Sequence, residues 1–364
     1  MKFVCERNII LKEISMAQEI ISSKNVISIL SNMYLEAEND SLTIKATDMK
    51  VNFETKVPVT VLEPGPATVF GEKFLGILSS APEGEIEFDY RDNKVKIKTS
   101  VKKANFQLKS MASENYPEFP VSEAAYFEIP VKEFKDMINQ TVFAVSDDET
   151  RYFMNGVYME KSEDKIIMVA TDGRRLAYID KEEKNISDFS GIIIPPKILQ
   201  IIQKRAGDEG LIALSITEKN IFVRFGSYNL SSVLLEGQFP NYRKVIPEEQ
   251  TSSLTVKRME MLDALRRVSL LVEQKSHRVY FGIKPGMMEI YSEEGEIGEA
   301  KEDIPCQYDG EEMALALNYR YIEEPFKVMA GDEIKISFTA PSKAITIVPV
   351  PQTDFFHIVM PMQS

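Results

Sequence analysis

Between Ile166 and Tyr178 apolar residues alternate along the chain: Ile166, Met168 and Ala170 share one face, Ile167 and Val169 the other, and Leu176 and Tyr178 resume the pattern after Asp172-Gly173. Period-two alternation interrupted by Asp-Gly predicts two strands joined by a tight hairpin. The phrase stands earlier as Leu42 to Asp48, with Ala46-Thr47-Asp48 lying 124 positions before Ala170-Thr171-Asp172. A fainter copy runs from Met288 to Gly295, Ser292 lying 122 positions after Ala170. Self-similarity at a fixed offset marks a repeated architecture.

The other elements keep the same spacing. Helical periodicity predicts six helices over residues 8–24, 72–81, 131–146, 196–206, 256–272 and 318–330. The first has Asn8 as its N-cap and Ile10, Leu11, Ile14, Ala17, Ile20 and Ile21 on one face; the third carries Phe134, Met137, Ile138 and Val142 inward. Pro196 suits a first helical turn, and Pro325 is expected to bend the last helix. Lys73, Lys197 and Arg320 recur at intervals of 124 and 123, and Gly84, Gly207 and Gly331 close their helices. Strand-like runs fill the remainder, among them Met33 to Ala37, Val51 to Val57, Ile86 to Tyr90, Ala104 to Lys109, Leu211 to Ile216 and Ala344 to Val350, followed by a tail from Phe356 to Ser364. Each unit therefore reads as strand, helix, strands, helix, strands. The fold class is α+β, with three repeats at 1–122, 123–250 and 251–364, each with two helices and antiparallel sheets.

Length supports this division, since 364 residues exceed what one core usually serves. No run approaches a membrane span, and the opening Met-Lys-Phe-Val-Cys-Glu-Arg has no signal-peptide core, so the expectation is a cytoplasmic protein without membrane attachment. Cys5 and Cys306 fit neither a metal motif nor a disulfide framework. The net charge of −13 argues against nucleic acid unless the cations are gathered on one face. They are unevenly distributed: the six predicted helices carry 14 basic and nine acidic residues, a surplus of five, which leaves −18 for strands and loops. Helices sharing one surface would make a positive face able to contact phosphates without reading sequence; ordinary solvation of helix surfaces is the competing reading.

Several motifs in order resemble the bacterial DNA sliding clamp family, the β subunits of DNA polymerase III, over essentially the whole chain. They are Met1-Lys2-Phe3 with Glu6-Arg7, Ile29 to Asn32, Arg151 to Val157, Val169 to Ala177, Gly237 to Arg243, and Val359 to Met362. The resemblance implies a non-catalytic processivity factor without cofactor or metal: a head-to-tail homodimer whose three DNA-clamp domains per chain make half of a closed six-domain ring. Helices would line the hole around sequence-independent double-stranded DNA, with Lys24, Lys73, Lys132, Lys135, Tyr152, Phe153, Lys197, Lys204, Arg205, Arg266 and Arg267 facing it.

The resemblance also implies a groove for short peptide motifs of the polymerase III α subunit, the clamp loader, other polymerases and repair proteins. Matching positions are Thr171, Gly173, Arg175, Leu176, Pro240, Val245, Ile358 and Met360 for a deeper pocket, and Arg151, Tyr152, Met154, Asn318, Tyr321, Pro361 and Met362 for an adjoining channel, with Arg174 and Lys244 also in the groove. Core packing is the competing reading for Leu176, Val245 and Ile358. Ring closure implies Phe106 and Leu108 on one side and Leu270 and Leu271 on the other, with Lys73 nearby. Departures occur: Lys24 and Lys244 stand where the family often has Arg, and Arg174 where it often has His or an aromatic, so individual contacts with DNA and partners can differ.

Two other classes compete. An enzyme would use Asp172 as acid or base beside Arg174 and Arg175, but Asp48 recurs at the equivalent place and Asp-Gly is primarily turn chemistry. His277 and His357 lie in no ligand-spaced cluster, and neither a phosphate-cradling loop nor a nucleophile elbow is present. A repeat scaffold that binds proteins and not DNA fits the periodicity alone equally well.

Overall fold

The computed structural model describes residues 1–21, 28–101, 104–295 and 298–362. The chain separates into two compact units, Met1–Pro130 with Ala206–Leu234, and Val131–Arg205 with Leu235–Ser364. The division cuts through the middle of the sequence repeat because strands from successive repeats join into continuous sheets.

In the first unit an eight-stranded antiparallel sheet runs in the order Phe127–Pro130, Leu211–Ile216, Asn220–Phe225, Tyr228–Val233, Val51–Pro58, Ser41–Thr47, Asn32–Glu38, Gly65–Phe70. A five-stranded sheet follows the order Thr60–Glu63, Lys2–Glu6, Glu85–Arg91, Lys94–Thr99, Asn105–Lys109. Helices α1 (Arg7–Ile20) and α2 (Gly71–Ser80) pack together. Ile10, Ile14, Ala17 and Ile20 of α1 form a buried stripe at helical spacing, and Phe74 and Leu78 do the same for α2.

The second unit repeats the plan. Its eight-stranded sheet has the order Ile192–Ile194, Val157–Ser162, Lys165–Thr171, Arg175–Glu182, Phe355–Val359, Ile345–Val350, Glu333–Phe338, Ser252–Lys257. A four-stranded sheet has the order Lys301–Pro305, Met287–Tyr291, Arg278–Lys284, Met313–Asn318. Helix α3 (Val131–Asn139) packs on α4 (Pro196–Arg205), and α5 (Arg258–Val268) on α6 (Tyr319–Val328). Among the described residues, six α-helices in three pairs and wholly antiparallel sheets match the α+β expectation.

The founding hairpin has the expected form. Lys165–Thr171 pairs with Arg175–Glu182, and Gly173 turns the corner at φ +87°, a conformation open to glycine and strained for most residues. Asp172 Oδ1 accepts from the amides of Arg174 at 2.9 Å and Arg175 at 3.1 Å. The first repeat uses the same device: Asp48 Oδ1 accepts from Lys50 and Val51 amides at 3.0 and 2.7 Å, with Met49 at φ +72° in the place of Gly173. The fainter third copy keeps the strand Met287–Tyr291, with Ser292 Oγ accepting from Ala300 at 3.0 Å.

Several local expectations are corrected. Helix α1 starts at Arg7, so Asn8 lies inside it; Glu6 occupies the cap without a side-chain bond, and Asn8 Oδ1 accepts from Arg7 at 2.6 Å. That helix ends at Ile20, and residues 22–27 lie outside the described part. The third helix stops at Asn139, followed by a separate 3-10 turn at Val142–Ala144, because the Thr141 hydroxyl bonds back to the Met137 carbonyl at 2.7 Å. Helix α5 likewise ends at Val268 and passes into a 3-10 turn, Ser269–Leu271. Helix α6 runs through Pro325 to Val328. The tail from Phe356 is not a loose end: Phe355–Val359 is a central strand between Arg175–Glu182 and Ile345–Val350.

With these bounds the helices hold 13 basic against nine acidic side chains, a surplus of four, one fewer than the sequence pattern gives: Lys24 lies outside the described residues, Lys257 belongs to the strand before α5, and Arg7 joins α1.

Candidate functional site

The two units contain the same junction with opposite chemistry. In the first, Val51–Pro58 pairs with Tyr228–Val233 so that Asn52 faces Ser231, with Asn52 Nδ2 donating to Ser231 Oγ at 3.0 Å and Thr47 Oγ1 donating to Asn52 Oδ1 at 2.6 Å. In the second, Arg175–Glu182 pairs with Phe355–Val359 so that Leu176 faces Ile358. These two leucine and isoleucine side chains belong to an apolar cluster with Val169, Phe239 and Tyr242. The junction that is a polar network early in the chain is a buried apolar contact late in it.

Over that second junction the chain end folds back: Met360 N donates to the Arg174 carbonyl and Met362 N to the Ala316 carbonyl, both at 2.8 Å. A cavity of about 380 Å³ opens there, lined by Arg174, Arg278, Asn318, Tyr321, Met360, Pro361 and Met362. A second cavity of about 370 Å³ includes Arg151, Asp172, Arg174, Arg175, His277, Asn318, Arg320, Tyr321 and Glu324. Six of the expected groove residues therefore line the first cavity. Arg151 and Arg175 line the second, which Arg174, Asn318 and Tyr321 share. Leu176 and Ile358 are buried in the core cluster, as are Thr171 and Met154 elsewhere in this unit, whereas Val245, Lys244, Gly173 and Tyr152 are exposed and Pro240 is half-buried. Sequence reasoning missed Arg278 and His277, because the only signal for them is strand register: Arg278 lies opposite Asn318 across the four-stranded sheet.

Arg175 holds the site together. Its side chain is buried, with Nε donating to Asp172 Oδ2 at 3.0 Å, one terminal nitrogen to Glu324 and the other to the Phe143 carbonyl at 2.7 Å. The guanidinium also lies 4.5 Å from the Tyr321 ring centre. Asp172 is thereby committed to the turn and to Arg175, which is turn and anchoring work and not acid-base chemistry. Arg151 crosses the same turn, donating to Asp148 at 2.8 Å and to the Asp172 carbonyl at 3.1 Å. A side chain at position 173 would meet the Arg151 guanidinium at 2.9 Å. Hydrogen bonds from Thr150, then from Arg151, hold Asp148 below the usual carboxylate range.

His357 is wholly buried beneath this cluster. Its ring centre is 5.5 Å from that of Phe143, and neither ring nitrogen makes a hydrogen bond of ordinary geometry, although the Tyr321 carbonyl, which Pro325 leaves without its helical N–H partner, lies close enough to favour protonation slightly. Burial, reinforced by Arg175, pushes the imidazole down to about 3. A base whose folded value lies below its unfolded value is stabilising as the neutral form, so this contribution is lost as pH falls below the unfolded value near 6.5. Between pH 7 and pH 5 the loss is about 2 kcal/mol. Urea denaturation at the two pH values should show wild type losing that much more stability than His357→Phe; equal losses would contradict it.

The expected DNA-facing residues have mixed settings. Lys132, Lys204, Arg266 and Arg267 are exposed on their helices, Arg267 pairing with Glu302 and exposed Lys73 with Glu72, while Lys135, Lys197, Arg205 and Phe153 are half-buried. Of the expected joint residues, Phe106 and Leu108 lie on Asn105–Lys109, the outermost strand of its sheet. Leu270 is 78% exposed, unusual for a large apolar side chain, and Leu271 is half-buried.

Antiparallel α+β units repeated on one plan, with a cavity beside the strand junction of the second, define a repeated-domain fold of the clamp type. Profiles of the DNA polymerase III beta subunit match in sequence order: the N-terminal domain over residues 1–120, the central domain over 128–241 and the C-terminal domain over 243–363. The chain is 48% identical to the beta sliding clamp of Treponema pallidum over all of both chains, and 32% identical to that of Chlamydia muridarum over 87% of each. Among solved structures, a sliding clamp from Bartonella birtlesii bound to griselimycin superimposes with a TM-score of 0.95 at 27% identity, over the whole of both chains. The DNA polymerase sliding clamp of Bacillus subtilis gives 0.94, also at 27%, covering all of this chain and 99% of that one. The chain belongs to the DNA polymerase III beta subunit family, the beta sliding clamps.

Proposed function

We propose that this chain encircles duplex DNA as a homodimeric ring and tethers the replicative polymerase to its template, a processivity role without chemistry of its own. The full-length identity of 48% to a beta sliding clamp carries this reading. Topology makes it physically sufficient: a closed ring cannot leave a duplex sideways, so weak and salt-sensitive phosphate contacts from the helix lysines and arginines are enough while it slides. An acidic chain of net charge −13 can do this because its helices carry a basic surplus.

The three repeats are assigned to residues 1–122, 123–250 and 251–364, and the ring closes head to tail between the first repeat of one copy and the third of the next. Outermost strands Asn105–Lys109 and Lys301–Pro305 suit such a joint, since pairing removes two open sheet edges and a heterologous contact that closes cannot grow into a filament. The cavity at Arg174, Asn318, Tyr321 and Met360 to Met362 is the docking site for short peptides of the polymerase, the loader and other clamp-binding proteins. Methionines adapt to different apolar side chains, and Asn318, whose Oδ1 caps α6 by accepting from the Arg320 amide at 3.0 Å, offers its amide donors to a peptide backbone. No helix among the described residues is long and apolar enough to cross a membrane.

A fluorescent peptide carrying a Gln and an aliphatic–aromatic pair tests the groove. Met362→Ala should weaken its binding by about ten-fold, the equivalent of one buried thioether side chain, while the mass in solution stays at twice 41.4 kDa. Unchanged affinity would remove the groove assignment.

A further inference from the structure

We propose that Met360 and Met362 are sites of reversible oxidation that turns this groove off: peroxide converts their thioethers to sulfoxides, and thiol-dependent reduction restores them. The inference rests on the groove reading above. Of the 17 methionines nine are buried, four half-buried and four exposed, so the folded chain presents few thioethers to a dissolved oxidant. The exposed four are Met49, Met259, Met287 and Met360, and Met362 is half-buried. Met360 and Met362 are the two that line the cavity of about 380 Å³. Met154, Met159 and Met168, in the same unit, are buried and therefore shielded. The chain end is held by its backbone and not by these side chains: Met360 N donates to the Arg174 carbonyl and Met362 N to the Ala316 carbonyl, both at 2.8 Å. Oxidation at sulfur leaves those two bonds in place and alters the wall that a peptide meets.

Each sulfur takes one oxygen atom from hydrogen peroxide as the O–O bond breaks; the sulfur loses two electrons, the peroxide is reduced and water leaves. Two thiols reverse the step, giving the thioether, a disulfide and water. A sulfoxide oxygen is a polar acceptor, and the apolar side chain of a docked peptide offers it no donor, so pressing the two together costs affinity. The adaptable thioether wall becomes polar and chiral. The cysteines do not compete for the oxidant: Cys5 and Cys306 are both buried, and burial pushes both thiols up, away from the reactive thiolate.

Hydrogen peroxide is applied to the whole chain and removed with catalase before a fluorescent peptide carrying a Gln and a Leu-Phe pair is added, so only the protein gains oxygen. Mass spectrometry should place one added oxygen on Met360 and one on Met362. Fluorescence anisotropy should show binding weakened by at least about ten-fold, with circular dichroism unchanged. Methionine sulfoxide reductases A and B with dithiothreitol should restore it. In Met360→Leu/Met362→Leu, treated and untreated protein should bind alike whatever their absolute affinity, whereas Met49→Leu/Met259→Leu/Met287→Leu should lose binding on treatment as wild type does. The switch is overturned if Met360 and Met362 stay unoxidised, if wild type binds unchanged with both sulfoxides in place, if the loss comes with unfolding, if the reductases fail to reverse it, or if it survives in Met360→Leu/Met362→Leu. In each of those cases untreated protein still binds and the groove stands. If untreated wild type does not bind the peptide, the groove reading itself falls, and this inference with it.

Discussion

Arg175→Met should lower the stability of this chain by about 3 kcal/mol, seen as a shift in the urea midpoint at unchanged slope. The wild-type side chain is buried and satisfies Asp172, Glu324 and the Phe143 carbonyl together, while lying over the Tyr321 ring. Methionine fills similar space but leaves two carboxylates facing each other without the cation and one carbonyl without a donor. This loss lies at the low end for breaking a buried ionic group because the Glu324 side chain is about one-third exposed and can turn to water. Arg175→Lys should recover only part of the loss, since an ammonium cannot span three acceptors in fixed directions. A change below about 1 kcal/mol for Arg175→Met would show that the cluster is a surface network and not the anchor of the groove.

The second large effect concerns the joint between copies. Leu270 is 78% exposed and Leu271 half-buried on the 3-10 turn after α5, which leaves apolar surface that a partner copy would cover. A ring of two chains has two joints, so replacing both leucines alters four buried side chains. At about 2 kcal/mol each the change is on the order of 8 kcal/mol, several powers of ten in the dimer Kd. Light scattering of Leu270→Ala/Leu271→Ala at micromolar concentration should therefore give 41.4 kDa in place of twice that mass. Circular dichroism should be unchanged, since Leu270 contributes almost nothing to the monomer core. A variant that remains dimeric would place the joint elsewhere.

Much of the fold was legible because two periodicities repeat at one offset. The hairpin around Asp172-Gly173, the six helices and the first-turn position of Pro196 all follow from local pattern and turn chemistry. Local rules failed where a residue had two roles available. Asn8 has the chemistry of a cap, yet the preceding strand runs directly into α1 and leaves the cap to Glu6. Val142 continues the helical apolar period, but Thr141 turns back on Met137 and ends the regular helix first. Phe356 and His357 were hidden for a different reason. A five-residue run packed on both faces has no alternation, and its partners lie far away in the chain, so it reads as a tail until register pairs Ile358 with Leu176.

The candidate site divides along the same line. Resemblance located Arg174, Asn318, Tyr321 and Met360 to Met362, which line one cavity. It could not show that Arg175 is an internal anchor, or that Arg278 comes alongside through the pairing of Arg278–Lys284 with Met313–Asn318. The contrast between Asn52 facing Ser231 and Leu176 facing Ile358 shows one junction closed by hydrogen bonds in the first unit and by buried apolar packing in the second.

Encirclement is tested most directly by loading the labelled chain onto nicked circular duplex with a clamp loader, removing free protein, and following retention by gel filtration before and after the circle is cut once. A closed ring is expected to stay on the circle and to leave the linear product rapidly, at the same ionic strength and with no change in DNA sequence. Equal retention on circular and linear DNA would mean that the chain holds DNA by surface affinity, and would contradict the ring.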